Sequence, residues 1–307
     1  MAQVIHGEFG SGEVETTGVP VAALRTYPVA TLNLGPEPGN VVGNLLLAKK
    51  AITEAKEAHP GLGWVVLPEL FTSGYSNLAS AHCYAEDAER GASVRFFASL
   101  ARDLGLHIAY GFPERVPGTA DGAFDSANLV GPDGLVLTYR KRHLVRTTLE
   151  HDVFVPGVEL PVVEAGGMRV AIVICWDLGF PEVAREAALA GAEMILAPAA
   201  WRAPWGPQYD LSCAARALDN GVYLGSANQL GVYPDARFDA LGHLYGPDGL
   251  RISRSEGERS VGEVDPGSPA RWRRLYGNTF LDGVEVLDVA VEPAPQGVAS
   301  VPLEACS

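Results

Sequence analysis

Short apolar segments alternate with amphipathic, helix-like segments along most of this chain, and this alternation restricts the folds that it can adopt. Trp64 to Leu67 and Arg169 to Cys175 are apolar runs typical of strands that are buried on both faces. Between such runs, Val41 to Ala55 and Val94 to Leu104 carry apolar residues at steps of three and four. Two sheets with helices outside each would bury these strands and leave one face of every helix exposed to solvent. The pattern therefore predicts an α/β fold.

Two Gly-Pro-Asp-Gly sequences, at 131–134 and 246–249, are turn signals between strand-like segments. Each predicts a hairpin, and the second hairpin would continue into Leu250 to Ser255. The tripeptide Ser-Ala-Asn precedes both turns, at 126–128 and at 226–228. An internal pseudo-repeat and a coincidence of common turn sequences explain this observation equally well.

Residues 1–25 are polar and rich in glycine, and we expect them to form an irregular tail. We expect residues 26–290 to form one domain and residues 291–307 to form a C-terminal extension. No apolar run approaches the roughly 20 residues that a membrane-spanning helix needs. The first residues also lack the basic and apolar segments of a secretion signal. We therefore expect no membrane association.

The chain carries 37 acidic and 23 basic residues, a formal net charge of −14. This charge repels nucleic acids and anionic bilayers, so neither is an expected partner. The four cysteines lie far apart, without a CxxC motif or a paired histidine motif, and they predict neither a disulfide framework nor a zinc site. We therefore expect a cytoplasmic protein that binds no metal ion.

Three strand-like segments end in residues that can carry out chemistry. Cys175 ends an apolar strand just before a turn and a helix that begins at Pro181, and helix N–H groups favour a thiolate. Glu69 follows Trp64 to Leu67 among apolar neighbours, where burial raises the pKa of a carboxyl group towards values useful for acid and base catalysis. Lys141 follows the strand Leu135 to Tyr139.

Each residue also has an ordinary explanation. A cysteine at the end of an apolar strand is more often structural, and the basic cluster around Lys141 is typical of a solvated surface. Sites in open α/β sheets, however, gather at the carboxyl ends of strands. Cys175, Glu69 and Lys141 at three such ends therefore predict one shared catalytic site.

The sequence resembles the nitrilase superfamily of carbon-nitrogen hydrolases in three stretches, which occur in the order found in that family. They are Leu67 to Tyr75 (LPELFTSGY), Tyr139 to Leu144 (YRKRHL) and Ile174 to Glu182 (ICWDLGFPE). The resemblance covers nearly the whole chain and implies a four-layer αββα sandwich. It also implies pairing of the chain into a homodimer or a larger homo-oligomer.

The resemblance implies catalytic roles for four residues and requires no cofactor. Glu69 would be the general base and acid, Lys141 would stabilise the oxyanion, and Cys175 would be the nucleophile. The second glutamate of the family is assigned to Glu150, because it precedes Phe154 and the Pro-Gly pair at 156–157. The alternative for Glu150 is a surface carboxylate.

The aromatic residues Tyr75, Trp176 and Trp201 are candidate walls of a substrate pocket, although each is also a normal core residue. Arg202 is a candidate partner for an anionic substrate group, or a surface residue.

The resemblance implies that a small carboxylic amide is hydrolysed to the acid and ammonia through a cysteine thioester. Nitrile-cleaving members usually carry Cys-Trp-Glu, whereas Cys175 is followed by Trp-Asp, which is more similar to the amidases. An N-carbamoyl amine or amino-acid amidohydrolase is the first alternative, and a nitrilase is the next. An inactive binding or assembly protein of the same fold is the alternative outside enzymes, and the complete set of four residues argues against it.

Overall fold

The computed structural model describes residues 26–119, 122–275 and 281. The predicted tail at 1–25 and extension at 291–307 lie outside the described residues, so these domain boundaries stay predictions. In the described part of the chain, the helices are too short or too polar to cross a bilayer.

Strands and helices alternate as the sequence predicts. The strands are β1 (Tyr27–Leu32), β2 (Trp64–Val66), β3 (His107–Arg115), β4 (Ala123–Gly131), β5 (Gly134–Arg140), β6 (Val163–Ala165), β7 (Met168–Ile172), β8 (Met194–Ala199), β9 (Tyr223–Asn228), β10 (Gly231–Val232), β11 (Arg237–Phe238), β12 (Leu244–Tyr245), β13 (Arg254–Glu256) and β14 (Arg259–Val264). The α-helices are α1 (Val41–Ala58), α2 (Ala92–Leu104), α3 (Glu150–Val153), α4 (Pro181–Leu189), α5 (Gly206–Asn220) and α6 (Ser268–Leu275). Two 3₁₀ helices span Tyr75–Tyr84 and Cys175–Gly179.

The strands form two main sheets and a small ribbon. The first sheet has the order β13-β14-β1-β2-β3-β4-β5, and the second has the order β12-β9-β8-β7-β6. Strands β1, β2 and β3 run parallel, as do β7, β8 and β9. The parallel strands therefore direct their carboxyl ends to one edge of each sheet, which is where the sequence places its candidate residues.

The two sheets pack face to face, and helices cover their outer faces. Val66 of the first sheet and Leu196 of the second belong to the same buried cluster. On the outer face of the first sheet, Ile52 of α1 and Phe97 of α2 pack in a second cluster with Val65. Helices α4 and α5 cover the second sheet with small buried residues. The prediction of a four-layer αββα sandwich is confirmed.

Local sequence signals set several helix and strand limits. Helix α1 begins after Asn40, whose side chain accepts a hydrogen bond of 2.9 Å from the backbone of Gly43. Helix α2 ends at Gly105, which takes the left-handed conformation at φ 64°. The turn at 131–134 joins β4 to β5 as a hairpin. These three features were all predicted.

The second predicted hairpin is confirmed only near its turn. The turn at 246–249 forms, with a backbone hydrogen bond of 2.9 Å from Gly249 to Gly246. However, β12 before it pairs with β9, whereas β13 after it pairs with β14 in the other sheet. The segment after the turn folds back as far as an antiparallel bridge between Tyr245 and Arg251, and then crosses to the other sheet. The Ser-Ala-Asn tripeptides are also not equivalent, since one lies in a wholly antiparallel environment and the other lies beside a parallel strand.

The cysteines differ from the sequence expectation in one respect. Cys175 and Cys213 are free and buried, but Cys83 is disulfide-bonded. The sequence analysis, which predicts no disulfide framework, does not anticipate this bond. Disulfides are unusual in reducing compartments, so the cytoplasmic location stays a prediction.

Candidate active site

The ends of β2, β5 and β7 bring three of the predicted residues into one buried region. Glu69 lies just beyond β2, Lys141 directly follows β5, and Cys175 lies just beyond β7. Glu69 and Lys141 have no exposed surface, and Cys175 is 5% exposed. The strand-end argument made from the sequence thus predicts this convergence correctly.

The Lys141 ammonium lies between two glutamates. Its Nζ atom is 2.5 Å from Oε1 of Glu69 and 2.8 Å from Oε2 of Glu150. Glu150 is the first residue of α3 and is fully buried, which excludes the alternative of a surface carboxylate. Its Oε2 also accepts a hydrogen bond from the backbone of Val145, and the Tyr75 hydroxyl donates to its Oε1. Both oxygens of Glu150 are therefore held in place.

These charges determine which groups are ionised. Burial opposes the positive charge of Lys141, but the Glu150, Glu69 and Asp125 carboxyl groups outweigh burial and raise its pKa well above the usual value. Burial raises the pKa of Glu69, and the Lys141 ammonium partly reverses that increase. The site therefore holds a permanent ammonium beside a carboxyl group of enhanced basicity.

Cys175 begins the second 3₁₀ helix in a strained conformation. Its φ of 44° lies in the left-handed region, which non-glycine residues rarely adopt. Burial, and next the negative charge of Glu69, raises the pKa of the Cys175 thiol well above the usual value, although Lys141 acts in the opposite direction. These effects favour the neutral thiol over the thiolate that the sequence analysis expects. The resting sulfur is a neutral thiol that must lose its proton to a base before it attacks.

Asp177 ties the Cys175 turn to the strand that carries Lys141. Its carboxylate accepts hydrogen bonds from the Tyr139 hydroxyl at 2.7 Å, from the backbone of Ile174 at 3.0 Å and from the backbone of His143 at 3.0 Å. These donors come from β5, from the loop after it and from the residue before the nucleophile. The sequence analysis assigned no role to Asp177 beyond the turn.

Glu69 depends on a close approach between its loop and β3. Leu70 also has a left-handed φ, of 45°. A Cβ atom on Gly111 of β3 would lie 2.4 Å from the backbone nitrogen of Leu70 and 2.7 Å from Cα of Glu69. Only glycine fits at this position, because side-chain atoms do not approach a backbone that closely.

Asp125 is a buried acidic residue that the sequence analysis missed. It lies on β4 with 1% of its surface exposed, and its Oδ2 is 3.5 Å from Nζ of Lys141. The sequence predicts a hairpin that places β4 beside β5, so a sequence signal for the position of Asp125 near Lys141 existed. A bulge between Leu129 and Val130 shifts the register, and the backbone of Lys141 donates to the Asp125 carbonyl at 2.8 Å.

A cavity of about 410 Å³ opens onto the sulfur of Cys175. The predicted wall residues Tyr75, Trp176 and Trp201 all line it, and Arg202 also lines it. A larger depression of about 710 Å³ lies elsewhere and contains none of the predicted site residues. Cavity size alone would therefore not have identified the site.

The three carboxyl groups of this site have the arrangement of a metal site. One oxygen each of Glu69, Asp125 and Glu150 lie within 4.8 Å of one another. The Lys141 ammonium lies within 2.5 to 3.5 Å of all three groups. The position that a metal ion would take is therefore filled by the protein's own cation.

Comparisons with known proteins agree with this geometry. The sequence profile of the carbon-nitrogen hydrolase family matches residues 28–274. The "Hydrolase in pqqF 5'region" of Pseudomonas protegens is 36% identical over 239 residues, which cover 77% of this chain and 81% of the relative. The chloroplastic omega-amidase of Arabidopsis thaliana is 32% identical over 274 residues, which cover 82% of this chain and 72% of that protein.

Among solved structures, this chain is similar to an amidase from Nesterenkonia sp. AN1. A variant of that amidase, with acrylamide added covalently at its active-site cysteine, has 28% sequence identity and a TM-score of 0.69. The match covers 81% of this chain and 97% of the other.

Proposed function

Because the chain belongs to the carbon-nitrogen hydrolase family and is an amide-hydrolysing enzyme of the nitrilase superfamily, we propose that it converts a small carboxylic amide to the acid and ammonia through a thioester on Cys175. One observation carries this proposal. The buried Lys141 ammonium is held between Glu69 and Glu150, and the charges of these three residues act on Cys175, which lines the cavity.

In the first half-reaction, Glu69 accepts the thiol proton while the sulfur forms a bond to the amide carbon. The carbonyl oxygen becomes negative and is held by the Lys141 ammonium and by the backbone N–H of Trp176. A donor of this kind is typically worth about 3 to 4 kcal/mol of barrier. Protonated Glu69 then gives its proton to the amide nitrogen, the carbon-nitrogen bond breaks, and ammonia leaves a thioester behind.

In the second half-reaction, water replaces ammonia. Glu69 accepts a proton from the water as its oxygen attacks the thioester carbon, and Lys141 again holds the oxyanion. The carbon-sulfur bond breaks, the acid is released, and the proton on Glu69 returns to the sulfur. Glu150 does not exchange protons in this scheme, since it holds Lys141 and balances its charge.

The cavity supports a substrate that carries an apolar part and an anionic group. Its walls are aromatic near Cys175, where Trp201 lies 5.5 Å from Trp176 between ring centroids. Of the described residues that line it, Arg202 is the one that is charged at neutral pH. A carboxylate on the substrate would therefore find in this cavity a guanidinium group that can bind it through two hydrogen bonds.

The experiment that tests the reaction measures ammonia release from a panel of aliphatic, aromatic, amino-acid and carbamoyl amides and nitriles. We expect amides to be hydrolysed and the Cys175→Ala variant to be inactive but folded. Intact-mass measurement after a rapid quench should show an acylated protein that is absent from Cys175→Ala. Release of carbon dioxide with ammonia from ureido compounds would instead favour the carbamoyl alternative, and turnover of nitriles alone would favour a nitrilase.

The role of Arg202 is tested with pairs of amides that differ only in a terminal carboxylate. We expect Arg202→Ala to lower kcat/KM for the anionic member by roughly 10- to 100-fold, the usual worth of a charge-assisted hydrogen bond. The neutral member should be nearly unaffected. Arg146→Ala is the matched control, because Arg146 is exposed and does not line the cavity. Equal losses of kcat/KM for both members would show that Arg202 does not bind the terminal carboxylate.

A further inference from the structure

Asp125 adds a third carboxyl group around Lys141, and the proposed reaction gives it no role. Asp125 lies on β4, which pairs with β5, the strand that Lys141 directly follows. The groups that face it are Glu69, Lys141 and Glu150, which all act on the charge of Asp125. Asp125 is as deeply buried as these three residues.

Among the described carboxyl groups around Lys141, the oxygens without a hydrogen-bond donor belong to Asp125 and Glu69. Oε1 of Glu69 and both oxygens of Glu150 have donors. Oε2 of Glu69 and both oxygens of Asp125 are buried without a hydrogen-bond partner among the described residues. Two ionised carboxylates have only acceptors to offer each other. A single proton between them supplies the missing donor.

The charge of the site leads to the same conclusion. With all three carboxyl groups ionised and one ammonium, the cluster would carry a net charge of −2. Burial and neighbouring acidic groups raise the pKa of the Tyr75 hydroxyl and of the Cys175 thiol, so neither adds charge at neutral pH. Uncompensated charge in a dry interior is costly, and a buried carboxyl group usually avoids it by taking up a proton.

Asp125 is the better holder of this proton. Glu69 has the Lys141 ammonium at 2.5 Å, whereas Asp125 has it at 3.5 Å. The nearer cation favours the ionised form of Glu69 more strongly. Burial, followed by the charge of Glu69, also raises the pKa of Asp125 well above its usual value.

We propose that Asp125 is protonated at neutral pH and donates its O–H to Oε2 of Glu69, so that Glu69 stays ionised and oriented towards the thiol of Cys175. Asp125 is thus a positioning residue that acts through Glu69. Its kinetic consequences rest on the proposed amidase function, but its protonation does not.

The first test is kinetic and compares two variants across pH. Asp125→Asn keeps a neutral donor of the same shape, so the acid limb of the kcat/KM profile should stay where it is in the wild-type enzyme. Asp125→Ala removes the donor, which destabilises the Glu69 carboxylate. The acid limb should then move to higher pH by about one unit, the usual effect of a hydrogen bond to a charged group.

The opposite result has a distinct signature. If Asp125 were ionised, Asp125→Asn would remove a negative charge beside Glu69 and lower the pKa of Glu69. The acid limb would then move to lower pH, and the proposal would be overturned. Unchanged profiles for both variants would also overturn it, because Asp125 would then have no coupling to Glu69.

The second test needs no turnover. Infrared spectroscopy at neutral pH should detect the carbonyl stretch of a buried carboxylic acid in the Cys175→Ala protein. That band should disappear in the Cys175→Ala, Asp125→Asn double variant. Its absence from Cys175→Ala, or its persistence in the double variant, would refute the proposal even if the amidase function held. This readout also stands if Asp125→Ala does not fold or if no amide is turned over.

Discussion

Lys141 is the residue on which both the charge balance and the proposed chemistry of the site depend. Its ammonium is shared by Glu69 and Glu150, and these charges overcome complete burial to keep it protonated. The folded-state pKa of Lys141 is raised, so its ion pairs stabilise the protein at neutral pH and lose that effect only in strong alkali, above the pKa of the unfolded chain. The cation is therefore constant over the pH range in which an amidase would be assayed.

We expect Lys141→Ala to lower kcat by roughly 100- to 1,000-fold, because the oxyanion loses a preorganised charge. The change in kcat should exceed any change in KM. The variant should also be less stable, by about 3 to 5 kcal/mol, since buried carboxylates are left without their cation. Steady-state kinetics and chemical denaturation measure the two effects.

Arg142→Ala is the matched control for Lys141→Ala. Arg142 is the next residue and pairs with Glu186 at 2.7 Å on a partly exposed surface, where an ion pair contributes little. Its kcat should stay near that of the wild type. If Lys141→Ala raised KM and left kcat unchanged, Lys141 would bind the substrate and would not stabilise the oxyanion.

At the scale of secondary structure, the site is built by strand ends that the chain holds in strained turns. Leu70 after β2 and Cys175 after β7 are the two non-glycine residues with a left-handed φ in the described ranges. Leu70 follows the proposed base Glu69, and Cys175 is itself the proposed nucleophile. Strain of this kind persists only where surrounding contacts impose it, and the contacts of Gly111 and Asp177 do so here.

Gly111→Ala should displace the Glu69 loop, because the new Cβ would contact backbone atoms of Glu69 and Leu70 at 2.4 to 2.8 Å. We expect a loss of about 1 to 3 kcal/mol in stability. Activity should fall by roughly 100-fold, since a base displaced by about 1 Å is poorly aligned. Gly61→Ala is the control, because its Cβ would have no neighbour nearer than 3.7 Å. Full activity in Gly111→Ala would mean that the loop adapts and that Glu69 is less constrained than its contacts indicate.

Much of this secondary structure was predictable because its signals are local. The apolar period of α1 and α2, the Asn40 cap and the turn at 131–134 each act within a few residues. The features that were missed are of two kinds. The pairing of β14 with β1 joins residues near opposite ends of the described chain, and the register shift between Leu129 and Val130 is a detail of the β4-β5 hairpin that its turn sequence does not specify.

The site itself was predictable in part for a similar reason. Parallel strands that end in Glu69 and Cys175, with Lys141 after the hairpin, imply a shared edge without any knowledge of distances. The neutral state of the Cys175 thiol was not predictable. It results from burial beneath residues of both sheets and from the charge of Glu69, more than 100 positions earlier in the chain.

At the scale of the whole molecule, the outer helical layer over the second sheet exposes several leucines. Leu211 and Leu218 lie two turns apart on α5 and are 68% and 41% exposed. Leu250, 64% exposed, follows the turn at 246–249, in which a Cβ on Gly249 would lie 2.9 Å from Leu218. We propose that this leucine patch, Leu211, Leu218 and Leu250, is the contact through which the predicted homodimer forms.

Substitution of Leu211 by glutamate tests this proposal. A two-fold contact places the same patch on both copies, so one substitution introduces two like charges into the interface. We expect light scattering after size exclusion to give a dimer for the wild type and a monomer for Leu211→Glu. Val42→Glu is the control, because Val42 is 69% exposed on α1, in the opposite outer layer.

The formal charge of −14 makes two copies repel each other, so added salt should strengthen an apolar contact by screening that repulsion. A wild-type monomer, a dimer that persists in Leu211→Glu, or a dimer that salt dissociates would each show that the leucine patch does not join two copies.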